Sequence, residues 1–262
     1  YNEVDNDNKT GEYEFLDADN LTAVAKTGID LSSIFVNNID IKNTGNGDIN
    51  INIVDLKDDK GTSDTSDDTD IVNGYTYKKD VNVTALEQTD EDEDAAATGT
   101  TTLTTENGTI TVLSSANSGR GISIDSSGTT TIEAKDRDTS DSDNFDILVN
   151  HNIQTNDGNL SLEADNSITI ADGIYTNSSN GGDIAYSAGL NIAVSIITTS
   201  SSVTLTAGGS VLDNLSSEAS NILGGTTSLT ITAGTGIGTS SDDIDTTVEN
   251  ITLTNSTSGD IY

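Results

Sequence analysis

The sequence predicts an all-β solenoid, in which short parallel strands wind into stacked coils that carry acidic loop insertions. Three observations support this: short segments alternating apolar and small polar residues, their recurrence roughly every 20 to 26 residues, and a low apolar content. Hydrophobic residues make up 32% of the 262 residues and aromatic residues 4%. An ordinary globular core needs more than this, whereas a narrow solenoid interior takes only one residue in two from each strand.

The most regular part of the chain is residues 103–262, where alternating segments follow one another closely. Each alternates with a period of two and is bounded by Gly, Asn, Asp or Ser, which is the signal of a β-strand. The segments are Gly108–Val112, Gly121–Ile124, Thr130–Ala134, Gly158–Ala164, Asn166–Ile170, Gly182–Ala188, Leu190–Val194, Ser201–Ala207, Thr227–Ala233 and Glu249–Thr254. We expect the segments that contain Leu160, Ile184, Val203, Leu229 and Ile251 to stack, with two or three strands in each coil.

The first hundred residues carry similar strands at wider intervals. The predicted strands are Leu21–Ala25, Asn38–Ile41, Gly47–Val54 and Tyr75–Leu86. The acidic runs Asp55–Asp70, Glu87–Thr102 and, further on, Lys135–Asp146 are interpreted as loops inserted between strands, since solenoids accept insertions there. The chain is therefore predicted to be a single solenoid unit, residues 1–262, with a loop-rich acidic part at 1–102 and regular coils at 103–262.

Composition excludes several functional classes. The net charge of −34 argues against nucleic acid, because phosphate binding needs Lys and Arg, and all ten basic residues lie at or before Arg137. The chain has no Cys, which excludes a disulfide scaffold. No apolar run approaches 20 residues, so no membrane insertion is expected in this segment. A disordered acidic chain has a similar composition, but the strand periodicity favours the solenoid.

A cluster of acidic residues is the clearest candidate for chemistry. The stretch "DRDTSDSDNFD" contains Asp136, Asp138, Asp141, Asp143 and Asp146, and calcium prefers several oxygen ligands of this kind. The stretch lacks the Gly and terminal Glu of an EF-hand, so a solvated acidic loop stays open beside a calcium site. No other cofactor is predicted.

Catalytic motifs are not evident. His151 is the only histidine and is interpreted as a turn residue, and no G-x-S-x-G motif occurs. Polysaccharide-active β-helix enzymes combine carboxylates with Arg or Lys, yet residues 147–262 contain neither. The chain is predicted not to be an enzyme, although that enzyme class stays an alternative.

A longer repeat relates the two ends of the chain. Residues 21–29 read "LTAVAKTGI" and residues 229–237 read "LTITAGTGI". Residues 39–49 read "IDIKNTGNGDI" and residues 251–261 read "ITLTNSTSGDI". If Tyr1 is placed after Tyr262, the join reads "GDIYYNEVD", which aligns with "GDININIVD" at Gly47–Asp55. We expect units that continue one another head to tail, as separate copies or as covalent tandem repeats.

The segments "DGNLSLEADNSITIADGI", "GGDIAYSAGLNIAVS" and "SSVTLTAGGSV" resemble the repeat regions of filamentous-haemagglutinin-like large bacterial surface adhesins. The resemblance covers residues 103–262 well and implies a right-handed parallel β-helix, export to the cell surface, and a structural or adhesive role. On this basis we expect a structural segment of an extracellular fibre or giant adhesin that stacks into a filament. An adhesive module that binds surface glycans or cations is the alternative.

Overall fold

The fold is a parallel β-helix, which confirms the predicted solenoid. The computed structural model describes residues 16–54, 57–58, 69–70, 80–89, 98–136, 145–217, 219–223, 225 and 227–262. A single sheet of 22 strands winds around the long axis, and every strand pair in it is parallel. The only helical element among the described residues is the 3-10 turn Ser115–Asn117.

Each coil presents three faces, and strands of successive coils pair face by face. Face 1 contains β3 (Ile49–Ile53), β7 (Thr101–Thr105), β10 (Thr130–Ala134), β13 (Leu160–Ala164), β16 (Ile184–Ala188), β19 (Ser202–Ala207), β22 (Ser228–Ala233) and β24 (Ile251–Asn255). Face 2 contains β8 (Ile110–Val112), β11 (Ile147–Val149), β14 (Ile168–Ile170), β17 (Ile192–Val194), β20 (Ser210–Asp213) and β23 (Gly236–Ile237). Face 3 contains β9 (Gly121–Ile124), β12 (Ile153–Thr155), β15 (Tyr175–Ser178), β18 (Ile196–Thr199) and β21 (Ile222–Leu223).

The first coils use longer strands that cross from one face to the next. These are β1 (Leu16–Ala25), β2 (Ile29–Asn43) and β6 (Val81–Gln88). β2 begins on face 1, where it pairs with β3, continues through face 2 and ends on face 3. β1 and β6 pair with its two edges on faces 2 and 3, and the pairing with β6 shifts by one residue after Ile39.

The predicted acidic loops lie largely outside the described residues. Of the run Asp55–Asp70, the described residues form the antiparallel pair β4 (Lys57–Asp58) and β5 (Thr69–Asp70). The boundaries of Glu87–Thr102 need correction, because Glu87 belongs to β6 and Thr102 to β7. Both residues pair with the neighbouring coils, so their backbone groups are part of the sheet.

Inward-facing side chains form columns along the axis, as the strand spacing predicted. Leu160, Ile184, Val203, Leu229 and Ile251 stack in register on face 1. Two residues further along each strand the column is Leu162, Tyr186, Leu205 and Ile231, and next comes a column of alanines at 164, 188, 207 and 233. The resulting apolar core is continuous from Ile29 to Ile237.

A buried polar column runs along the ends of the face 3 strands. Asn43, Gln88, Thr155, Ser178 and Thr199 belong to this register position, which Ile124 interrupts between Gln88 and Thr155, and the five polar residues are at most 2% exposed. Each donates to the carbonyl of a glycine at the adjacent corner, as Thr199 Oγ1 does to Gly182 O at 2.7 Å. Because a buried carbonyl without a partner is costly, this column satisfies the corner where face 3 turns into face 1.

Glycines at the same corner let successive coils approach closely. A Cβ on Gly158 would lie 1.9 Å from the Gly128 carbonyl oxygen, and one on Gly182 would lie 2.1 Å from the Gly158 oxygen. The nearest atoms belong to the backbone, so a side chain cannot be accommodated by rotating a neighbouring group. Glycine is therefore required at this corner by the contact between coils.

Candidate functional site: the open C-terminal coil

The last coil presents an unpaired sheet edge. β24 pairs along its whole length with β22, from Ile251 beside Leu229 to Asn255 beside Ala233. Its opposite edge has no strand partner within the part of the chain that the structure describes. Such an edge presents backbone N–H and C=O groups in the geometry that another parallel strand needs.

The core columns reach the surface at this edge. Ile251 is 49% exposed and Leu253 is 38% exposed, whereas Leu229 and Ile231 directly beneath them are 1% and 0% exposed. On the adjoining face Ile261, which bridges to Ile237, is 44% exposed. In the last described coil, residues of the core columns are therefore exposed.

The last coil also contains several acidic residues. Asp242, Asp243, Asp245, Glu249 and Asp260 lie in or next to the last coil. Tyr262 donates its hydroxyl proton to Asp260 Oδ2 at 3.0 Å, and the hydrogen bond to this carboxylate raises the pKa of the tyrosine above its ordinary value. The last described coil thus combines exposed apolar side chains with several acidic residues.

The two ends of the chain share one local structure. Leu21–Ala25 pair with Ile39–Asn43 in the same register in which Leu229–Ala233 pair with Ile251–Asn255. The sequence similarity between these segments therefore corresponds to the same two-coil arrangement. In the N-terminal arrangement a further coil follows, because β6 pairs with the edge of β2 that faces away from β1.

The turn that follows each arrangement is also shared. Asn43 Nδ2 donates to Gly47 O at 3.3 Å, and Asn255 Nδ2 donates to Gly259 O at 2.7 Å. The next residue donates its hydroxyl back to the preceding coil, Thr44 to Ala25 O and Ser256 to Ala233 O. Both glycines have a positive φ, 118° for Gly47 and 93° for Gly259, which is the region that favours glycine.

The matched segments lie on different faces. Leu21 and Ile39 are on face 2, and Thr22–Ala25 and Asp40–Asn43 are on face 3, whereas Leu229–Ala233 and Ile251–Asn255 all lie on face 1. The N-terminal arrangement therefore crosses from face 2 to face 3, and the C-terminal one stays on a single face. The sequence similarity predicted the repeat, but this difference is visible only in the fold.

The predicted calcium ligands are only partly described. Asp138, Asp141 and Asp143 lie outside the described residues. The Asp146 carboxylate forms hydrogen bonds to the next coil of the β-helix. Its Oδ1 accepts from Asn166 Nδ2 at 2.6 Å and from the backbone N–H of Ser167 at 3.0 Å. The backbone N–H of Asp136 donates to Asp165 Oδ2 at 2.5 Å. Asp136 and Asp146 therefore each form a hydrogen bond to the next coil, Asp146 through its carboxylate and Asp136 through its backbone N–H.

An acidic groove adjoins Asp136. It has a volume of about 350 Å³ and is lined by Asn52, Thr104, Glu106, Lys135, Asp136 and Asp165. Lys135 Nζ lies 2.6 Å from Glu133 Oε2, so this base is paired beside the groove. Among the described residues, no three acidic or histidine side chains are placed together to hold a metal ion.

His151 and Arg120 both have structural partners. His151 Nδ1 accepts from the backbone N–H of Asn152 at 2.8 Å, which agrees with its interpretation as a turn residue. Arg120 bridges two coils through Asp40 Oδ1 at 2.6 Å and Glu87 Oε1 at 3.1 Å, and these hydrogen bonds raise the pKa of the guanidinium.

Comparisons with protein families, with curated proteins and with solved structures found no match to this chain. Within the described residues, no helix has the length and apolar character that crossing a membrane requires.

Proposed function

We propose that the chain is a structural segment of an extracellular bacterial fibre or giant adhesin, in which units stack head to tail into an elongated filament. The observation that carries this proposal is the continuous stack of parallel coils, whose single apolar core runs from Ile29 to Ile237. In the last described coil the core columns of Ile251 and Leu253 are open to a further coil. A further parallel coil on the outer edge of β24 removes both the apolar surface and the unpaired backbone groups from water.

The charge distribution favours end-to-end over lateral association. A net charge of −34 makes the sides of two rods repel each other. The apolar surface at the end offers a contact that does not depend on charge. Stacked coils then form a stiff rod that stays soluble, which suits a structural role outside the cell.

The test is the assembly state of the purified chain. At about 0.15 M salt, where exposed charges are screened beyond about 8 Å, sedimentation and electron microscopy should show linear particles whose length increases with protein concentration. A protein that remains a monomer at high concentration would contradict the proposal.

A matched pair of variants identifies the surface responsible. Ile251→Lys with Leu253→Lys places charge in the exposed core columns and should abolish assembly. Thr252→Lys with Thr254→Lys adds the same charge to the outward side of the same strand, where both threonines are exposed, and should leave assembly largely intact. Circular dichroism of both variants checks that the helix remains folded.

Cation binding is the second candidate function, and the acidic groove beside Asp136 is the observation that favours it. Calcium bound only by the folded protein raises the unfolding midpoint. Calorimetry with chelator and then with calcium should show such a rise, and an unchanged midpoint would leave the Asp136–Asp146 stretch as a solvated loop.

A further inference from the structure

We propose that Asn180–Gly181 is a self-modifying site, at which the asparagine converts to aspartate and isoaspartate without an enzyme. The fold places the Asn-Gly pairs of the described residues in three different surroundings and leaves one of them open to this reaction. The three pairs are Asn46–Gly47, Asn107–Gly108 and Asn180–Gly181. A fourth pair, Asn73–Gly74, lies outside the described residues.

The reaction at an Asn-Gly pair needs only the chain itself and water. The backbone nitrogen of Gly181 attacks Cγ of the Asn180 side chain, so that an N–Cγ bond forms and the Cγ–Nδ2 bond breaks. Ammonia leaves with the proton that the Gly181 nitrogen gives up, and a cyclic imide remains. Water then hydrolyses one of the two carbonyl–nitrogen bonds of the imide, which gives aspartate or isoaspartate. Glycine in the second position favours ring closure because it has no side chain to hinder the approach.

The surroundings of Asn180 and Gly181 allow this ring closure. The Asn180 side chain is exposed, and its Nδ2 donates to Asn156 Oδ1 at 3.0 Å in an equally exposed contact. The Gly181 N–H has no hydrogen-bond acceptor within the part of the chain that the structure describes. A Cβ on Gly181 would meet only the Ser200 hydroxyl, at 3.1 Å, so the backbone has space around it.

Asn107–Gly108 has the same chemistry but is enclosed. Both residues are buried, and Asn107 is 4% exposed. The buried hydroxyl of Thr105 donates to Gly108 O at 2.6 Å, and Asn107 forms a β-bridge with Asp136. The imide can therefore form at this pair only after the coil has opened locally.

Asn46–Gly47 combines an exposed asparagine with a tightly packed glycine. A Cβ on Gly47 would lie 2.2 Å from the Thr27 carbonyl oxygen, which belongs to the preceding coil. The Gly47 carbonyl oxygen accepts from the buried side-chain amides of Asn43 and Gln88, at 3.3 and 3.1 Å. Rotation of the backbone at Gly47 is restricted, so we expect this pair to react more slowly than Asn180–Gly181.

The modification changes the surface of the corner and leaves the core intact. Asn156 Nδ2 donates to Asp125 Oδ1 at 2.7 Å, so Asp125, Asn156 and Asn180 form a ladder with one side chain from each of three coils. Conversion of Asn180 replaces the last donor of this ladder with a carboxylate and adds a negative charge. The backbone N–H of Asn180, which donates to Asn156 O at 2.7 Å, is retained in both products. The coils should therefore stay wound.

The three pairs serve as controls for one another in a single experiment. The folded protein is incubated in mildly alkaline buffer, and mass spectrometry of its peptides detects the replacement of each amide by a carboxyl group. Cleavage after Tyr175 and Tyr186 releases the peptide with Asn180, since the chain has no Lys or Arg beyond Arg137. Asn180 should convert at least about tenfold faster than Asn107, whose reaction waits for local opening, and faster than Asn46.

Incubation in denaturant separates the effect of the fold from that of the sequence. The three rates should become similar there, because the unfolded chain protects none of the pairs. The variant Asn180→Gln should lose the fast reaction, and circular dichroism of the converted parent protein should match that of the fresh protein.

Each contrary result overturns the inference. Faster conversion at Asn46 or Asn107, or equal rates at all three pairs of the folded protein, would show that the fold does not control the reaction. An equally large lead of Asn180 in denaturant would assign its rate to the sequence instead. A loss of strand signal on conversion would contradict the surface position of the ladder. None of these results depends on assembly, so the proposed function is tested separately.

Discussion

The hydrogen bond between Tyr186 and Thr176 offers a sharp test of how the interior is held together. Tyr186 is 1% exposed within the column of Leu162 and Leu205, and its hydroxyl contacts Thr176 Oγ1, which is itself 0% exposed. Tyr186→Phe leaves the threonine hydroxyl buried without its partner, and Thr176→Val does the same to the tyrosine. An unsatisfied buried hydroxyl costs about 1 to 3 kcal/mol.

Each single variant should therefore lose about 2 kcal/mol of unfolding free energy, which lowers the unfolding midpoint by about 4 to 8 °C in a chain of this size. The double variant, with both partners apolar and of nearly unchanged shape, should lie within about 1 kcal/mol of the parent. Ser187→Ala, at the exposed neighbour of Tyr186, is the control and should change little. The assay is thermal and denaturant unfolding followed by circular dichroism. Losses that simply add in the double variant would refute the hydrogen-bond account.

The same tyrosine predicts a pH dependence. Burial raises the pKa of Tyr186 above its ordinary value of 10.0. Above about pH 10 the unfolded chain therefore releases this proton while the folded protein keeps it, so stability falls as the pH rises further. Tyr186→Phe lacks this contribution, and its stability should decline less steeply above pH 10 than that of the parent. Parallel slopes for the two proteins would contradict the assignment.

Three further predictions concern the corners, the surface and the assembly. Gly158→Ala should lower the free energy of unfolding by at least about 3 kcal/mol, because its Cβ would lie 1.9 Å from a backbone oxygen. Gly173→Ala has open space around its Cβ but a φ of 73°, so it should lower the free energy of unfolding by only about 1 to 2 kcal/mol. The reverse order in unfolding experiments would contradict the close-packing argument. Arg120→Ala should cost less than about 1 kcal/mol, and less still in high salt, since its ion pairs are exposed; a larger loss on denaturant unfolding would count against this. Filaments measured by light scattering should lengthen between about 0.01 M and 0.15 M salt as the screening length falls from about 30 to about 8 Å, whereas shortening would mean that charge attraction drives assembly.

The sequence predicted most strands of face 1 well because their inward residues are apolar; β7, whose inward side includes Thr101 and Thr105, was missed. Leu160, Ile184, Val203 and Leu229 each begin an alternation of apolar and small polar residues, and all four stack as expected. Thr130–Ala134 and Gly121–Ile124 were predicted with the boundaries that the structure has. Where the core side of a strand is aliphatic, the period of two is visible without any knowledge of the fold.

Several strands of face 3 were not predicted, and the reason is their buried polar column. Thr155, Thr176, Ser178 and Thr199 point inward, so Ile153–Thr155, Tyr175–Ser178 and Ile196–Thr199 lack a clear apolar alternation. Their inward hydroxyls are satisfied by partners on other segments, such as Gly158 O for Ser178. A sequence pattern cannot reveal a polar core position whose partner is brought close only by the coil.

The candidate site was predicted in part. The similarity between residues 39–49 and 251–261 identified the C-terminal coil as a place where the pattern continues, and the structure shows the same strand pairing there. The faces on which the two arrangements lie could not be predicted. They depend on how many residues each corner takes, and corner lengths vary from coil to coil.

The orientation of the backbone hydrogen bonds in the coils determines how the rod resists force. In a parallel β-helix these bonds point along the axis, so tension applied at the two ends pulls coils apart one after another. One coil, from Leu160 to Ile184, contains 24 residues; stretched out it spans about 80 Å, in place of an axial rise of about 4.8 Å. A single coil can therefore lengthen to many times its axial rise while the coils further along remain wound. Such a rod yields in steps under load and rewinds from its intact end when the load is removed.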